Sequence, residues 1–134
     1  MKKIIVPTVV ALIMSGCSST METLIKPDNR MNAELNRPLD ASYRIIKQSL
    51  EICSPHLLVH GDLYQDTQTA RIYQSNVGSM LMQIASVYDL KAIDANHTSL
   101  DYYARGCLTC TNATAEQHLK KVQRWVNGQN TNCE

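Results

Sequence analysis

Phenylalanine is absent from the 134 residues and tryptophan occurs once, at Trp125. Aromatic bulk therefore falls to six tyrosines, whose rings pack in a core while their hydroxyls still seek water or a partner. No G-x-S-x-G, H-E-x-x-H, Walker-type glycine loop or dinucleotide fingerprint occurs, so the common hydrolytic, zinc-peptidase and nucleotide-binding motifs are excluded. Internal repeats are not evident. A long apolar run is missing too. The longest stretch, Ile4 to Met14, is broken by Pro7 and at about 1.5 Å per helical residue reaches only ~17 Å, against a hydrocarbon core of ~30 Å.

Lys2 and Lys3 precede that run, and the small residues Ser15 and Gly16 follow it before Cys17. This is the layout of a secretory signal peptide. Met14-Ser15-Gly16-Cys17 resembles the lipobox of bacterial lipoproteins, in which the cysteine thiol is acylated and the chain is cut in front of it; the family more often has leucine where Met14 stands. The resemblance covers the leader only. It implies an anchor of two or three acyl chains, each buried CH₂ contributing ~0.8 kcal/mol. An aspartate directly after the cysteine often signals inner-membrane retention in such proteins, and this chain has Ser18 there. The resemblance thus implies the outer membrane, on its periplasmic side or at the cell surface.

Loss of residues 1–16 would lower Lys+Arg from 13 to 11 against 12 Asp+Glu, a net charge near −1. Only Lys120 and Lys121 are adjacent basic residues. No basic field remains to hold nucleic acid. Apart from Cys17, the cysteines are Cys53, Cys107, Cys110 and Cys133, an even number that in a small exported domain reads as two disulfides.

Residues 17–38 are polar, contain Pro27 and Pro38, and read as the lipidated cysteine and a flexible tether, with a coil span of roughly 25 Å and an extended limit of roughly 70 Å. Residues 39–134 read as one α+β domain. Asp40 is positioned to cap a helix from Ala41 through Ile45, Ile46, Leu50 and Cys53, stopped by Ser54-Pro55. The period then changes to two. Leu57, Val59, Gly61 and Leu63 share a strand face, with a turn at Asp66-Thr67. Ala70 and Ile72 lie in a second strand. Met80, Met82, Ile84, Ser86, Tyr88 and Leu90 share one face of a third, ended by Asp94 to His97. Leu100, Tyr102 and Ala104 lie in a fourth, with Tyr103 on its other face. Thr114 with Gln117 fits a capping box, and Ala115, Leu119, Val122, Trp125 and Val126 form the apolar face of a second helix closed by Gly128.

The expected fold is α-β-β-β-β-α: a four-stranded antiparallel meander with two helices on one face, stapled by disulfides, and its other face partly open. Strand parity then predicts Cys53 with Cys107 and Cys110 with Cys133; three strands would instead pair Cys53 with Cys133 and Cys107 with Cys110.

Cys107-Leu108-Thr109-Cys110 at a helix start has the form of a thiol-exchange motif. Such motifs follow a βαβ context, whereas here two further cysteines are available, and structural cystine is the preferred reading. Zinc on Cys107 and Cys110 with two of His56, His60, His97 and His118 lacks the usual close-spaced second pair. Asp62 and Asp66 fall at a strand end and turn, where aspartate is common for backbone reasons. Neither a catalytic group, a metal nor a cofactor is expected. Tyr64, Tyr73, Tyr88, Tyr102 and Tyr103 all fall on predicted strands and constitute the candidate interface. The sequence thus points to a non-enzymatic envelope lipoprotein that binds a protein partner, for example as a secretion or assembly subunit. The alternative is a binder of a small ligand, a peptide or a foreign enzyme.

Replacing Cys17 with serine is expected to move the protein from the membrane to the soluble fraction. The natural mature chain should begin at Cys17 and carry the mass of its acyl chains, which intact-mass measurement checks.

Overall fold

The computed structural model describes residues 20–76, 83–104, 112–128 and 133. Its elements in chain order are α1 (Met21–Leu24), a 3-10 turn (Pro27–Asn29), β1 (Arg30–Leu35), α2 (Leu39–Cys53), β2 (Leu57–Tyr64), β3 (Thr69–Asn76), β4 (Ile84–Ala92), β5 (Thr98–Ala104) and α3 (Asn112–Val126). Five strands form one antiparallel sheet in the order β1-β5-β4-β3-β2. The chain is α+β, as expected, but the sheet is wider than a four-stranded meander.

The added strand is β1, which lies inside the expected tether. Met31, Ala33 and Leu35 alternate with polar residues, and Ala33 and Leu35 are buried. β1 pairs with β5 from Arg30–Tyr103 to Leu35–Thr98. The corner that follows is pinned at the Arg37 carbonyl, which accepts the Thr98 hydroxyl at 2.9 Å and that of Ser42 at 3.4 Å.

The chain enters α2 through Pro38, whose carbonyl accepts the Ser42 amide at 2.9 Å. Asp40 lies in the first turn rather than at the cap, and binds Arg44 one turn on at 3.0 Å. Ser54 and Pro55 follow the helix as the sequence indicates. In α3, Thr114 likewise falls inside the helix rather than before it. Gly128, at φ +71°, supplies the left-handed residue after the last turn.

Register sorts the side chains. On one face, Leu63, Ala70, Leu90, Leu100 and Ala33 run across all five strands as an apolar row. The next row is Gly61, Ile72, Tyr88, Tyr102 and Met31; the third, Val59, Gln74, Ser86 and Ala104, turns polar. The core lies between these rows and the apolar stripes of α2 (Ile46, Leu50) and α3 (Leu119, Val122, Trp125, Val126). Gly61 makes room for a side chain of α2: a Cβ there would meet the Tyr43 hydroxyl at 2.8 Å.

The expected alternation of the third strand is broken once. Ser75 pairs with Ile84 while Gln74 pairs with Ser86, so Ala85 is the extra residue of a β-bulge. The bulge moves Ile84 to the opposite face, where it joins Val87, Tyr103 and Leu24 in a second cluster packed by α1. Met80 and Met82 lie outside the described residues.

Cys53 is bonded to Cys133, with Cα atoms 5.2 Å apart. This corrects the expected pairing of Cys53 with Cys107 and of Cys110 with Cys133. Four strands do separate the long helices, but the tail decides the partner. α3 runs toward the β1–α2 corner, where Gln123 Nε2 donates to the Glu34 carbonyl at 3.4 Å. Cys133, five residues beyond Gly128, lies back alongside α3, its carbonyl accepting from Lys121 Nζ at 2.6 Å. Cys133 thus reaches the end of α2. A loop of 80 residues closed in this way stabilises by about 4.5 kcal/mol in the chain-entropy model. Cys17, Cys107 and Cys110 lie outside the described residues.

Leu35→Ala distinguishes a structural strand from a tether. Leu35 is wholly buried, so the substitution should cost about 2–5 kcal/mol in urea unfolding, whereas a residue in a free tether would change stability by less than about 0.5 kcal/mol.

Candidate functional site

The five tyrosines do not form one surface. Tyr88 and Tyr102 point into the helix-covered core, at 0% and 6% exposure, and Tyr103 is buried in the α1 cluster at 7%. Tyr73 is half-buried on the open face and Tyr64 is half exposed at the sheet margin. Burial follows from register parity: beyond the bulge at Ala85, even-numbered positions of β4 and β5 face α2 and α3. The interface expected from sequence is therefore reduced to Tyr64 and Tyr73.

Tyr88 is the hub of a buried polar cluster. Its hydroxyl lies 2.7 Å from His118 Nε2 and 3.3 Å from Gln74 Oε1, which also accepts the Ser86 hydroxyl at 2.8 Å. The Tyr88, Tyr102 and His118 rings pack together, with centroids 5.0 to 6.0 Å apart, and Trp125 meets His118 edge-on. Burial raises the Tyr88 phenol well above its ordinary value and pushes Tyr102 up to about 12. Burial, followed by the nearby Lys121 ammonium, lowers His118 from 6.5 to about 4. All three are therefore neutral at pH 7. This neutral Tyr–His–Gln arrangement positions α3 on the sheet, while His118 also borders a hollow along the outer side of that helix. Gln74 Nε2 is buried without a partner among the described residues.

The other histidines are dispersed. His60 stacks on Tyr73 at 4.6 Å and places Nε2 3.1 Å from the Ser75 hydroxyl. His97 binds Asp94 at 2.8 Å in the turn after β4, where the carboxylate also accepts the Asn96 and His97 amides. These amide and imidazole donors, Asn96 first, hold the Asp94 carboxyl below its ordinary range. Among the described residues no three histidine, cysteine or carboxylate side chains gather as a metal site. Asp62 and Asp66 are separated: Asp62 lies on β2 and Asp66 in the hairpin turn.

The open face carries the surface chemistry. Away from α1, one row reads Asp62, Arg71, Asp89, Asp101 and Asn32 across all five strands, and beside it runs Tyr64, Thr69, Lys91, Ser99 and Glu34. Arg71 grips Asp89 with two parallel bonds, Nε to Oδ1 at 2.6 Å and a terminal nitrogen to Oδ2 at 2.7 Å. This bidentate pair also raises the guanidinium pKa. Asn32 Nδ2 donates to Asp101 Oδ1 at 2.8 Å. Asp89 and Asp101 stand opposite each other in the register. The Arg71 fork and the Asn32 amide offset what would otherwise be like-charge repulsion. Around the pair lies an open groove of about 390 Å³, bounded by Tyr64, Arg71, Asp89, Lys91, Ser99 and Asp101. A wider hollow, about 820 Å³, follows the outer side of α3 past Lys120, Lys121 and Arg124.

No protein-family model matches the chain, and no curated protein matches it.

The His118 environment sets a pH dependence. Its proton is bound near pH 4 when folded but near ~6.5 when unfolded, so this contribution is complete above ~6.5 and declines as pH falls toward 4. The full loss is on the order of 3 kcal/mol. Urea titrations at pH 7 and pH 4.5 should show a smaller acid destabilisation in His118→Gln than in the parent. Equal acid destabilisation in the two proteins would show that His118 is not buried in its neutral form.

Proposed function

We propose that this chain is a lipoprotein of the bacterial outer membrane that acts as a protein-binding or assembly subunit, engaging its partner through the open half of the sheet. The observation that carries this reading is the asymmetry of the sheet. Helices α2 and α3 cover one face and α1 covers part of the other, leaving an ordered polar strip without a covering element among the described residues. Four carboxylates (Asp62, Asp89, Asp101 and Glu34) stand there against two cations, Arg71 and Lys91, which suits a partner bearing lysine, arginine or amide donors. The Arg71–Asp89 fork holds the strip rigid, so little side-chain freedom is lost when a partner docks. The groove is open rather than enclosed, which favours a protein over a small ligand. The anchor follows from the leader, with Cys17 as the lipidated residue, and it would hold the domain close to the membrane.

Benzoylphenylalanine replacing Tyr64 should, on irradiation in the native envelope, give an adduct with a different protein, besides any link to a second copy of this chain across the β2 edge. The same probe replacing Arg44 on the outer side of α2, a side chain 73% exposed, should not. Asp101→Lys should weaken the Tyr64 adduct severalfold while leaving the folded fraction unchanged. An adduct of equal yield from both positions, or from neither, would contradict the assignment.

A further inference from the structure

We propose that β2 pairs with β2 of a second copy, joining two sheets into one of ten strands about a two-fold axis at Gly61. The inference concerns the β2 edge of the sheet, which adjoins the polar strip and groove and shares Asp62 and Tyr64 with them, and it does not depend on the lipid anchor.

The two sheet edges differ. β1 has six residues, and the Glu34 carbonyl accepts from Gln123 of α3. β2 has eight, and among the described residues nothing bonds the outer backbone of Val59, Gly61 or Leu63. Ladder phase shows that these groups face outward. The Ala92 amide donates to the Gln68 carbonyl, so even-numbered residues of β3 bond toward β4 and odd-numbered ones toward β2. The β2 partners of Thr69, Arg71, Tyr73 and Ser75 are Tyr64, Asp62, His60 and Leu58. Val59, Gly61 and Leu63 therefore turn their amides and carbonyls to the free edge. The Leu57 amide agrees, since it leaves the sheet to reach the Ser54 carbonyl at 3.0 Å.

A two-fold antiparallel pairing must set outward-facing residues opposite one another, which restricts the register to steps of two. Centred on Gly61, Val59 meets Leu63 of the second copy on the helix-covered face. On the open face Leu58 meets Tyr64 and His60 meets Asp62, each combination occurring twice. Leu58 and Tyr64 are 49% and 50% exposed, so this register buries apolar surface that a single copy leaves in water. His60 has Nε2 held by Ser75, which leaves Nδ1 for a carboxylate. The neighbouring registers are worse. One sets Asp62 against Asp62 and Leu58 against Asp66; the other sets Leu58 against Asp62 and His60 against His60. Like charges directly opposed destabilise, whereas apolar and opposite-charge pairs stabilise. Of these registers, only the Gly61-centred one sets an imidazole against a carboxylate that can accept its hydrogen bond, and apolar against apolar, while pairing most of the strand. In this register the two grooves would lie on one continuous face.

The test is sedimentation equilibrium on the whole chain purified from its producing cell, lipidated or not, so that failure of the lipoprotein reading leaves the outcome interpretable. Dimer is expected in the parent. His60→Asp, which opposes two carboxylates at both symmetry-related positions, should raise the dissociation constant by about tenfold or more. The double variant H60D/D62H, which exchanges the two residues across the same pair, should recover it. Circular dichroism identifies any variant that fails to fold. In that case the same judgement falls to benzoylphenylalanine replacing Leu58, expected to link differently tagged copies near Tyr64. A monomeric parent at about 100 µM, a concentration far above the dissociation constants of specific interfaces, overturns the proposal. So does a dimer indifferent to His60→Asp, or a Leu58 link that falls elsewhere in the second copy.

Discussion

The hydrogen-bonded register of the five strands is the constraint on which the rest of the molecule depends, because a slip of one residue would exchange every side chain between the helix-covered face and the open one. That register aligns Leu63, Ala70, Leu90, Leu100 and Ala33 under α2 and α3, and by the same parity aligns Asp62, Arg71, Asp89, Asp101 and Asn32 on the opposite side. Core and candidate site are therefore two consequences of one pairing. The single departure, the bulge at Ala85, is what allows Ile84 and Val87, three residues apart, to share the face packed by α1.

The core is graded from apolar to polar along the strands. At the Leu100 end, burial of hydrocarbon is unopposed. At the Gln74 and Ser86 end, Tyr88 and His118 enter as neutral hydrogen-bonding groups, a state maintained by the desolvation that forbids their charged forms. This end makes the docking of α3 directional, since a hydrogen bond and three packed rings define where His118 sits. The Cys53–Cys133 bond ties the tail beyond α3 to the end of α2, so helices from opposite ends of the chain are covalently joined over the same core.

Local patterning made much of this legible. Alternation at Leu57, Val59, Gly61 and Leu63, the stop at Ser54-Pro55, and the apolar face of α3 each correspond to an element of the structure. β1 escaped notice because only Met31, Ala33 and Leu35 alternate there, between two prolines. Its pairing with β5, across a sequence separation of about seventy residues, leaves no local trace. The tyrosines were visible as strand residues but not as members of different faces. Nothing in the separate neighbourhoods of Arg71 and Asp89 indicates that they are opposite each other.

The amino-acid sequence by itself determined the two long helices and the strands that follow Leu39, since these depend on side-chain shape, hydropathy and periods of 3.6 and 2. The pattern around Cys17, on which the proposed lipidation rests, is a property of consecutive residues. Tertiary structure alone decided that β1 belongs to the sheet, that Cys53 takes Cys133, that Tyr88 and Tyr102 are core, and that an arginine–aspartate fork lies at the centre of the exposed strip. Each of these depends on contacts between distant residues. Such contacts are selected by how whole faces bury together, which no local pattern specifies.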